Sequence, residues 1–282
     1  MRHRWQSFSW FSTRQYLPRV ALLIEYSGRL FHGSQFQIGV RTVQEELEKG
    51  LTVYFRQPMK VIFSGRTDTG VHAKGQVAHF EIQNEKFDGD FYKFLWALNG
   101  ILPDDLSACQ GAIVPDDFHA RFSATERIYV YRIFNRAQRS PLLAANHYLV
   151  RQELQVEAMK NAAQCLLGTH DFTSFRASNN DETSPLCSVQ RVQMLRLGEG
   201  QLEFWIGANH FVYNMVRIVV GTLVEIGLGK RAPESLSEAL SGRDRNLSGV
   251  TAPAHGLTLQ MVKYPESLRL FENSAEKCNL PV

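Results

Sequence analysis

The sequence predicts an α+β protein made of two α+β halves that share a central antiparallel sheet with helices packed on it. Strand-like and helix-like segments are interleaved along the chain, and a similar order returns in the second half. A hydrophobic content of 44% over 282 residues is enough for a sizeable core. We expect an N-terminal tail at 1–19, an N-terminal half at 20–112, a C-terminal half at 113–265 and a C-terminal tail at 266–282.

The N-terminal half is predicted to begin with a buried strand, because RVALLIEY is mostly apolar. Thr42 and Glu45 form a capping-box pattern that opens a helix, VQEELEKGLTVYF, with Val43, Leu47 and Leu51 on one face. The remaining segments are predicted as two strands (MKVIFSG and GQVAHFEI), a helix (FDGDFYKFLWALNGIL) and a further strand (SACQGAIV).

The C-terminal half is predicted to begin with an alternating strand, ERIYVYRIF, which places Tyr129, Tyr131 and Ile133 on one face. A helix (VEAMKNAAQCLLG) and a hairpin of VQRVQMLRL and QLEFWIGA follow it. A long helix begins at Val212, and PESLSEALSG forms a short helix with Pro at its start and Gly at its end. GLTLQMVKY closes the half as a strand.

The basic residues exceed the acidic ones by 31 to 28, and the excess lies in the tail, which holds Arg2, Arg4, Arg14 and Arg19 and no acid. The rest of the chain is close to neutral, so a nucleic-acid site must be a local patch. The Arg- and Ser-rich tail resembles a transit peptide, although we favour a disordered basic tail.

The cysteines are widely spaced, with no C-x-x-C, and are Cys109, Cys165, Cys187 and Cys278. This pattern argues against a zinc ribbon or a disulfide framework and suits a reducing compartment, so we expect a cytoplasmic protein. Asn214 and Arg217 interrupt the best candidate for a membrane span, so no membrane association is expected. There is no P-loop, dinucleotide fingerprint or metal-ligand cluster, and we expect no cofactor and no metal.

Asp68 lies in an unusual stretch, SGRTDTGVHAKGQVAHF. Asp-Thr-Gly is also the signature of aspartic proteases, but that chemistry needs two carboxylates and the chain has one such triplet. His72 and His79 would point to opposite faces of a strand, so we expect hydrogen-bonded structural residues rather than metal ligands. Taken alone, Asp68 would be assigned to an Asx turn.

The full string resembles the catalytic segment of the tRNA pseudouridine synthase A family, which reads GRTDAGVHA-x-GQV. Four later blocks follow in the family's order, so the resemblance covers about residues 20–264: PDDFHARFSATERIYVYRIFN, AAQCLLGTHDFTSFRA, ANHFVYNMVRIVVGTLVEIG and GLTLQMV. The chain departs from the family at Ser27 (usually Asp), Ser34 (usually Trp) and Thr69 (usually Ala). These departures leave open an altered tRNA preference.

The resemblance implies an RNA-binding cleft between the halves, a homodimer that binds tRNA across both subunits, and formation of pseudouridine without a cofactor. The implied targets are uridines 38, 39 and 40 of the anticodon stem-loop. Asp68 is the implied catalytic carboxylate, acting as nucleophile or base. Two alternatives stay open: a sibling synthase with other RNA targets, and a non-catalytic tRNA-binding or chaperone relative.

The resemblance assigns further residues to substrate binding. Tyr129 matches the active-site tyrosine, whose ring can stack on a flipped base, whereas Tyr131 is expected in the core. Leu257 matches a position that packs against uracil, with an ordinary core leucine as the alternative. Arg66 is expected to contact phosphate or to assist flipping, unless it is a solvated loop residue.

The stretch from His119 to Arg139 is the clearest basic and aromatic patch. Arginines that alternate along a strand face opposite sides, so its five arginines cannot all contact one RNA. We expect RNA contacts from Arg121, Arg127 and Arg132.

Arg217 lies in a helix that is apolar nearly all round, so it is expected to be buried and to need a partner. The family match places it beside the catalytic carboxylate. We therefore predict a bidentate ion pair between Arg217 and Asp68 that lowers the pKa of the carboxyl group.

Overall fold

The computed structural model describes residues 18–82, 87–177, 184–268 and 270–271. Within these ranges the chain forms ten strands and five α-helices. The strands are β1 (Arg19–Tyr26), β2 (Ile62–Phe63), β3 (His72–Glu81), β4 (Leu106–Val114), β5 (Glu126–Asn135), β6 (Tyr148–Val150), β7 (Gly168–Asp171), β8 (Leu186–Gly198), β9 (Gln201–Ala208) and β10 (Leu257–Lys263). The helices are α1 (Val43–Phe55), α2 (Phe91–Asn99), α3 (Val156–Ala163), α4 (Met215–Gly227) and α5 (Ser235–Gly242).

All ten strands belong to one sheet with the order β4-β1-β3-β10-β5-β9-β8-β7, while β2 pairs with β3 and β6 with β5. The last strand, β10, is thus inserted between β3 of the first half and β5 of the second. The predicted α+β class with a shared central sheet is confirmed. The sheet is mixed rather than wholly antiparallel, because β10 runs parallel to β3 and β6 runs parallel to β5. The strands β3 and β5 run in opposite directions, and β10 lies between them. Because β10 is antiparallel to β5, it is parallel to β3.

The helix α1 begins as its capping pattern predicts. The Thr42 side chain accepts a hydrogen bond from the Glu45 backbone N–H at 3.3 Å. Val43, Leu47 and Leu51 are fully buried on one face. The helix ends at Phe55, and the cap residue Arg56 that follows has a left-handed backbone with φ 56°.

The helix α4 is buried along almost its whole length, as its apolar sequence predicts. Gly221 allows close packing, because a Cβ atom there would lie 1.7 Å from the Val250 carbonyl oxygen. The same packing brings the Arg217 carbonyl within 3.0 Å of the Ala252 N–H. The helix begins at Met215 rather than at Val212, because Asn214 has a left-handed backbone with φ 62°.

The terminal boundaries need one correction. Arg19 is the first residue of β1 and donates to Glu81 across 2.5 Å, so it belongs to the sheet rather than to the tail. Residues 1–17, including the segment compared with a transit peptide, lie outside the described residues, as do 269 and 272–282 of the C-terminal tail. Among the described helices, none has the length and apolar character needed to cross a membrane.

Candidate active site

A cleft of about 1220 Å³ is lined by residues of both halves. The first half contributes the loop after β1 and the segment from Val61 to Val71, which contains Asp68. The second half contributes Arg121, Arg127 and Tyr129, the segment from His210 to Val216, and Leu257. Because β10 joins the two halves in the sheet, these segments converge at the junction.

The loop that carries Asp68 connects β2 to β3 and is fixed at the neighbouring Thr67. The backbone N–H of Ser34 donates to the Thr67 carbonyl at 3.0 Å, and the Thr67 N–H donates to the Ser34 hydroxyl at 2.9 Å. The Tyr26 and Thr67 hydroxyl groups lie 2.7 Å apart. Gly33 has φ +89°, and a Cβ atom there would lie 2.9 Å from the Thr67 carbonyl oxygen. Ser34, one of the departures from the family pattern, therefore holds the loop that carries Asp68.

Arg217 reaches this loop from α4, and the predicted ion pair is present. Its Nη1 lies 3.4 Å from Oδ2 of Asp68, and both side chains are about four-fifths buried, with exposed fractions of 18% and 21%. The pair is not bidentate as predicted, because the guanidinium has other acceptors. Nε donates to the Ala252 carbonyl at 2.9 Å, and Nη1 also donates to Oδ1 of Asn214 at 2.5 Å.

The predicted direction of the Asp68 pKa shift is wrong. Burial raises the pKa of the carboxyl above its ordinary value, and Arg217 opposes that rise without overcoming it. Asp68 lines the cleft, whereas Arg217 is not among the lining residues. Arg217 can therefore act on a substrate in the cleft through Asp68.

Tyr129 and Leu257, the two residues predicted to contact the base, lie in the same cleft as Asp68. Both are buried and both line the cleft. Burial raises the pKa of Tyr129, so its phenol stays protonated at neutral pH. Its ring meets the Phe211 ring edge-on, with centroids 5.1 Å apart. Tyr131 lies in the core as expected and donates its hydroxyl to the Pro253 carbonyl at 2.7 Å.

The arginines predicted to bind RNA separate into two groups. Arg66 and Arg121 are exposed and line the cleft, as an RNA contact requires. Arg132 lies on the opposite face of β5 from Tyr129, where it donates to Glu203 at 3.0 Å and to Thr258 at 3.1 Å. Arg132 is not among the residues that line the cleft, and its predicted contact with RNA stays a prediction.

Arg127 lines the cleft, but its guanidinium is largely used inside the protein. It is buried, and its Nη1 and Nη2 groups donate to four backbone carbonyls, those of Ser64, Arg121, Ala124 and Asn209. These donors are no longer free to hold a phosphate in the usual forked arrangement. Arg127 instead joins the segment before Asp68 to the segments that carry Arg121 and precede α4.

The two histidines of β3 are hydrogen-bonded strand residues, as predicted. Nδ1 of His72 accepts from the Gly28 N–H at 3.2 Å, and Nδ1 of His79 accepts from the Ala120 N–H at 3.2 Å. Over the described ranges, no three His, Cys, Asp or Glu side chains are grouped so as to hold a metal ion.

The sequence did not predict that Asn214 contacts Arg217 or that Ser34 holds the loop that carries Asp68. Asn214 interrupts an apolar run, and Asn is among the residues that most readily adopt a left-handed backbone. Those two signals indicate an irregular helix start, but neither indicates a contact with Arg217, which depends on the side-chain direction at the N-terminus of α4.

Comparison with known proteins gives matches over most of the chain. A family model described as tRNA pseudouridine synthase matches residues 162–265. A tRNA pseudouridine synthase A of Halalkalibacterium halodurans is 45% identical over 242 residues, which are 86% of this chain and 90% of that protein. Proteins of the same name are 43% identical in Klebsiella pneumoniae (89% of this chain, 92% of the relative) and in Escherichia coli (90% and 94%). A chain in a solved Cbf5-Nop10-Gar1 complex aligns with 72% of this chain and 53% of its own length, at 8% sequence identity and a TM-score of 0.31. This similarity is too low to bear on function.

Proposed function

This chain belongs to the tRNA pseudouridine synthase A family, and we propose that it is an isomerase that converts uridine to pseudouridine in tRNA. We further propose that its targets are uridines 38, 39 and 40 of the anticodon stem-loop, and that it acts in the cytoplasm as a homodimer. The observation that carries the proposal is the largely buried carboxylate of Asp68, paired with Arg217, on the wall of a cleft shared by both halves.

The reaction breaks the N1–C1′ bond of uridine and forms a C5–C1′ bond after the base turns. C5 loses a proton and N1 gains one, so no atom enters or leaves overall. In this proposal Asp68 acts on the nucleotide as an ionised carboxylate, either as nucleophile or as base. Arg217 favours that ionised form against the effect of burial.

The target base must leave its stack to reach Asp68. Tyr129 and Leu257 supply an aromatic and an aliphatic wall for it. Stacking on an aromatic ring contributes about 1–3 kcal/mol per base, which offsets part of the cost of flipping. Arg66 and Arg121 lie at the same cleft, exposed, where they can contact phosphates.

A second candidate is a sibling synthase that acts on other tRNA uridines. It is favoured by Ser34, which is fully buried against the loop of Asp68 where the family pattern has a large tryptophan. In this candidate, the smaller side chain changes how the loop that carries Asp68 is held and thereby alters the cleft that receives the RNA.

The test is to incubate the protein with a set of tRNA transcripts and to map pseudouridine at nucleotide resolution by chemical labelling. The proposal expects label at positions 38, 39 and 40, absent with the Asp68→Asn variant. Label confined to other positions would favour the sibling synthase. Binding of tRNA without any label would support a non-catalytic relative.

A further inference from the structure

The residue that precedes α4 departs from the pattern of an ordinary helix N-terminus. Asn214 occupies the N-cap position, but its backbone is left-handed, with φ 62° and ψ 6°, whereas N-cap residues are usually extended. Asn is also one of the best capping residues, yet its side chain makes no capping hydrogen bond to α4. A sparsely populated backbone conformation of this kind persists where its surroundings require it, and it is often found at functional sites.

The Asn214 side chain is used on Arg217 instead. Its Oδ1 accepts from Nη1 of Arg217 at 2.5 Å, which is shorter than the 2.9 Å contact to Ala252 and the 3.4 Å contact to Asp68. Nη1 is the atom that faces Asp68, so the oxygens of Asn214 and Asp68 share one donor group. Ala252 holds the guanidinium at Nε and Asn214 holds it at Nη1, and the carboxylate of Asp68 meets it at the same Nη1.

We propose that Asn214 is a positioning residue for the reaction at Asp68. Its side-chain oxygen holds Arg217 against the carboxylate, and this use replaces the capping of α4. The inference rests on the proposed function, in which Asp68 is the catalytic carboxylate. The position needs both a left-handed backbone and a side-chain acceptor at short reach, and few residues besides Asn and Asp supply both.

The charge state of Asp68 gives a readout of this role that does not depend on turnover. Among the described residues, Arg217 from α4 and Tyr129 from β5 are the ionisable groups that interact with the carboxyl. Burial raises the pKa of Asp68 and Arg217 opposes the rise. If Arg217 is held less firmly beside the carboxyl, its charge should lower the pKa of Asp68 less. Because the effect of burial is then less well offset, the pKa of Asp68 should rise further.

Two variants separate the backbone from the side chain at this position. Asn214→Gly keeps the left-handed backbone without strain and removes only the acceptor, whereas Asn214→Asp keeps both. We expect Asn214→Gly to lower kcat about 10- to 100-fold with little change in KM for tRNA, because the reacting group is misplaced rather than the RNA. Asn214→Asp should retain most of the wild-type kcat, and both variants should unfold near the wild-type Tm.

The pKa of Asp68 is measured by NMR on protein with ¹³C-labelled aspartate, with the signal assigned by its loss in Asp68→Asn. It should be higher in Asn214→Gly than in the wild type. An unchanged kcat and an unchanged Asp68 pKa in Asn214→Gly would overturn the inference, and so would equal losses of kcat in the Gly and Asp variants. If the wild type modified no tRNA, the proposed function would fail, and the NMR titration would still decide whether Asn214 positions Arg217.

Discussion

Arg127 of β5 and Arg217 of α4 are both largely buried arginines of the second half, and they differ in what accepts their hydrogen bonds. Arg127 donates to backbone carbonyls alone, on four residues of three separate segments. Arg217 donates to one carbonyl, one side-chain amide and the carboxylate of Asp68. One arginine therefore joins segments of the chain, and the other acts on an ionisable group in a cleft.

The difference shows that the role of a buried arginine near a site depends on which groups accept its hydrogen bonds rather than on where the residue lies. Carbonyl oxygens have no charge to be altered, so their contacts with Arg127 contribute to stability. A carboxylate has a protonation state, so its contact with Arg217 also changes the chemistry that the cleft can perform. The sequence predicts a functional role for both residues, and of the two only Arg217 donates a hydrogen bond to a side chain that can change its charge.

The largest effect is expected from Asp68→Asn, which replaces the ionisable acceptor that Arg217 has and Arg127 lacks. Pseudouridine formation should fall by about 10³-fold or more, because an amide can act neither as nucleophile nor as base. Labelling of tRNA transcripts measures the loss, and thermal unfolding near the wild-type Tm shows that the fold is kept. Asp117→Asn, at an exposed position, is the matched control and should be fully active. Turnover by Asp68→Asn at the wild-type rate would contradict the proposed chemistry.

Arg217→Met should reduce kcat about 10²–10³-fold, since it removes the charge that favours ionised Asp68. Arg217→Lys should recover only part of this loss, because a single ammonium group cannot reach the Ala252 carbonyl and Asp68 in the way the guanidinium does. Single-turnover kinetics of pseudouridine formation on an unmodified tRNA transcript measure both variants. A Lys variant as active as the wild type would mean that the geometry of the guanidinium is unimportant.

Arg127→Met should lower the free energy of unfolding by about 2–4 kcal/mol, because it leaves several buried carbonyl oxygens without their donor. Chemical denaturation measures this change. The comparison predicts that Arg127→Met costs more stability than Arg217→Met and less kcat per folded molecule. The reverse order would show that the two arginines have been assigned to the wrong roles.

The sequence predicts the elements of this fold well wherever local pattern decides them. The α1 helix begins at the predicted cap at Thr42 and extends to Phe55, and the buried strand β1 begins at Arg19. The short strands β6 and β7 were not predicted, because segments of three or four residues carry little periodicity of their own. The parallel pairing of β10 with β3 was also missed, since it depends on where a strand is inserted rather than on its composition.

The residues of the site can also be predicted in part from local sequence patterns. Asp68, Tyr129, Leu257 and Arg217 lie in recognisable blocks, and the structure brings them to one cleft or beside it. The roles of Arg127 and Arg132 could not be read from the basic patch, because they depend on which face of β5 each side chain takes and on acceptors distant in sequence. The net direction of the Asp68 pKa shift depends on whether the effect of burial is larger than the opposite effect of the Arg217 charge. The sequence does not give the size of either effect.

The pH dependence of kcat is expected to show a smaller difference between the roles of Arg217 and Arg127. In the proposed mechanism, activity requires ionised Asp68, whose pKa is raised by burial, so activity should be lost as the pH falls through that raised value. The acid limb should therefore lie at higher pH than an ordinary aspartate would give. It should move to still higher pH in Arg217→Met and stay in place in Arg127→Met when equal amounts of folded protein are compared. An acid limb unaffected by Arg217→Met would show that Arg217 does not act through the charge of Asp68.

The smallest effect separates the two faces of β5 and tests whether the cleft alone meets the RNA. Arg121 is exposed at the cleft, whereas Arg132 lies on the other face and pairs with Glu203. Loss of one phosphate contact should reduce the slope of log K against log salt by about 0.7–0.9. We expect that reduction for Arg121→Ala, with tRNA binding weakened across all sequences and the modified uridine unchanged. Arg132→Ala, the matched control, should leave the slope unchanged because its guanidinium faces away from the cleft. Equal slopes for Arg121→Ala and the wild type, with a reduced slope for Arg132→Ala, would place the RNA on the opposite face of the sheet.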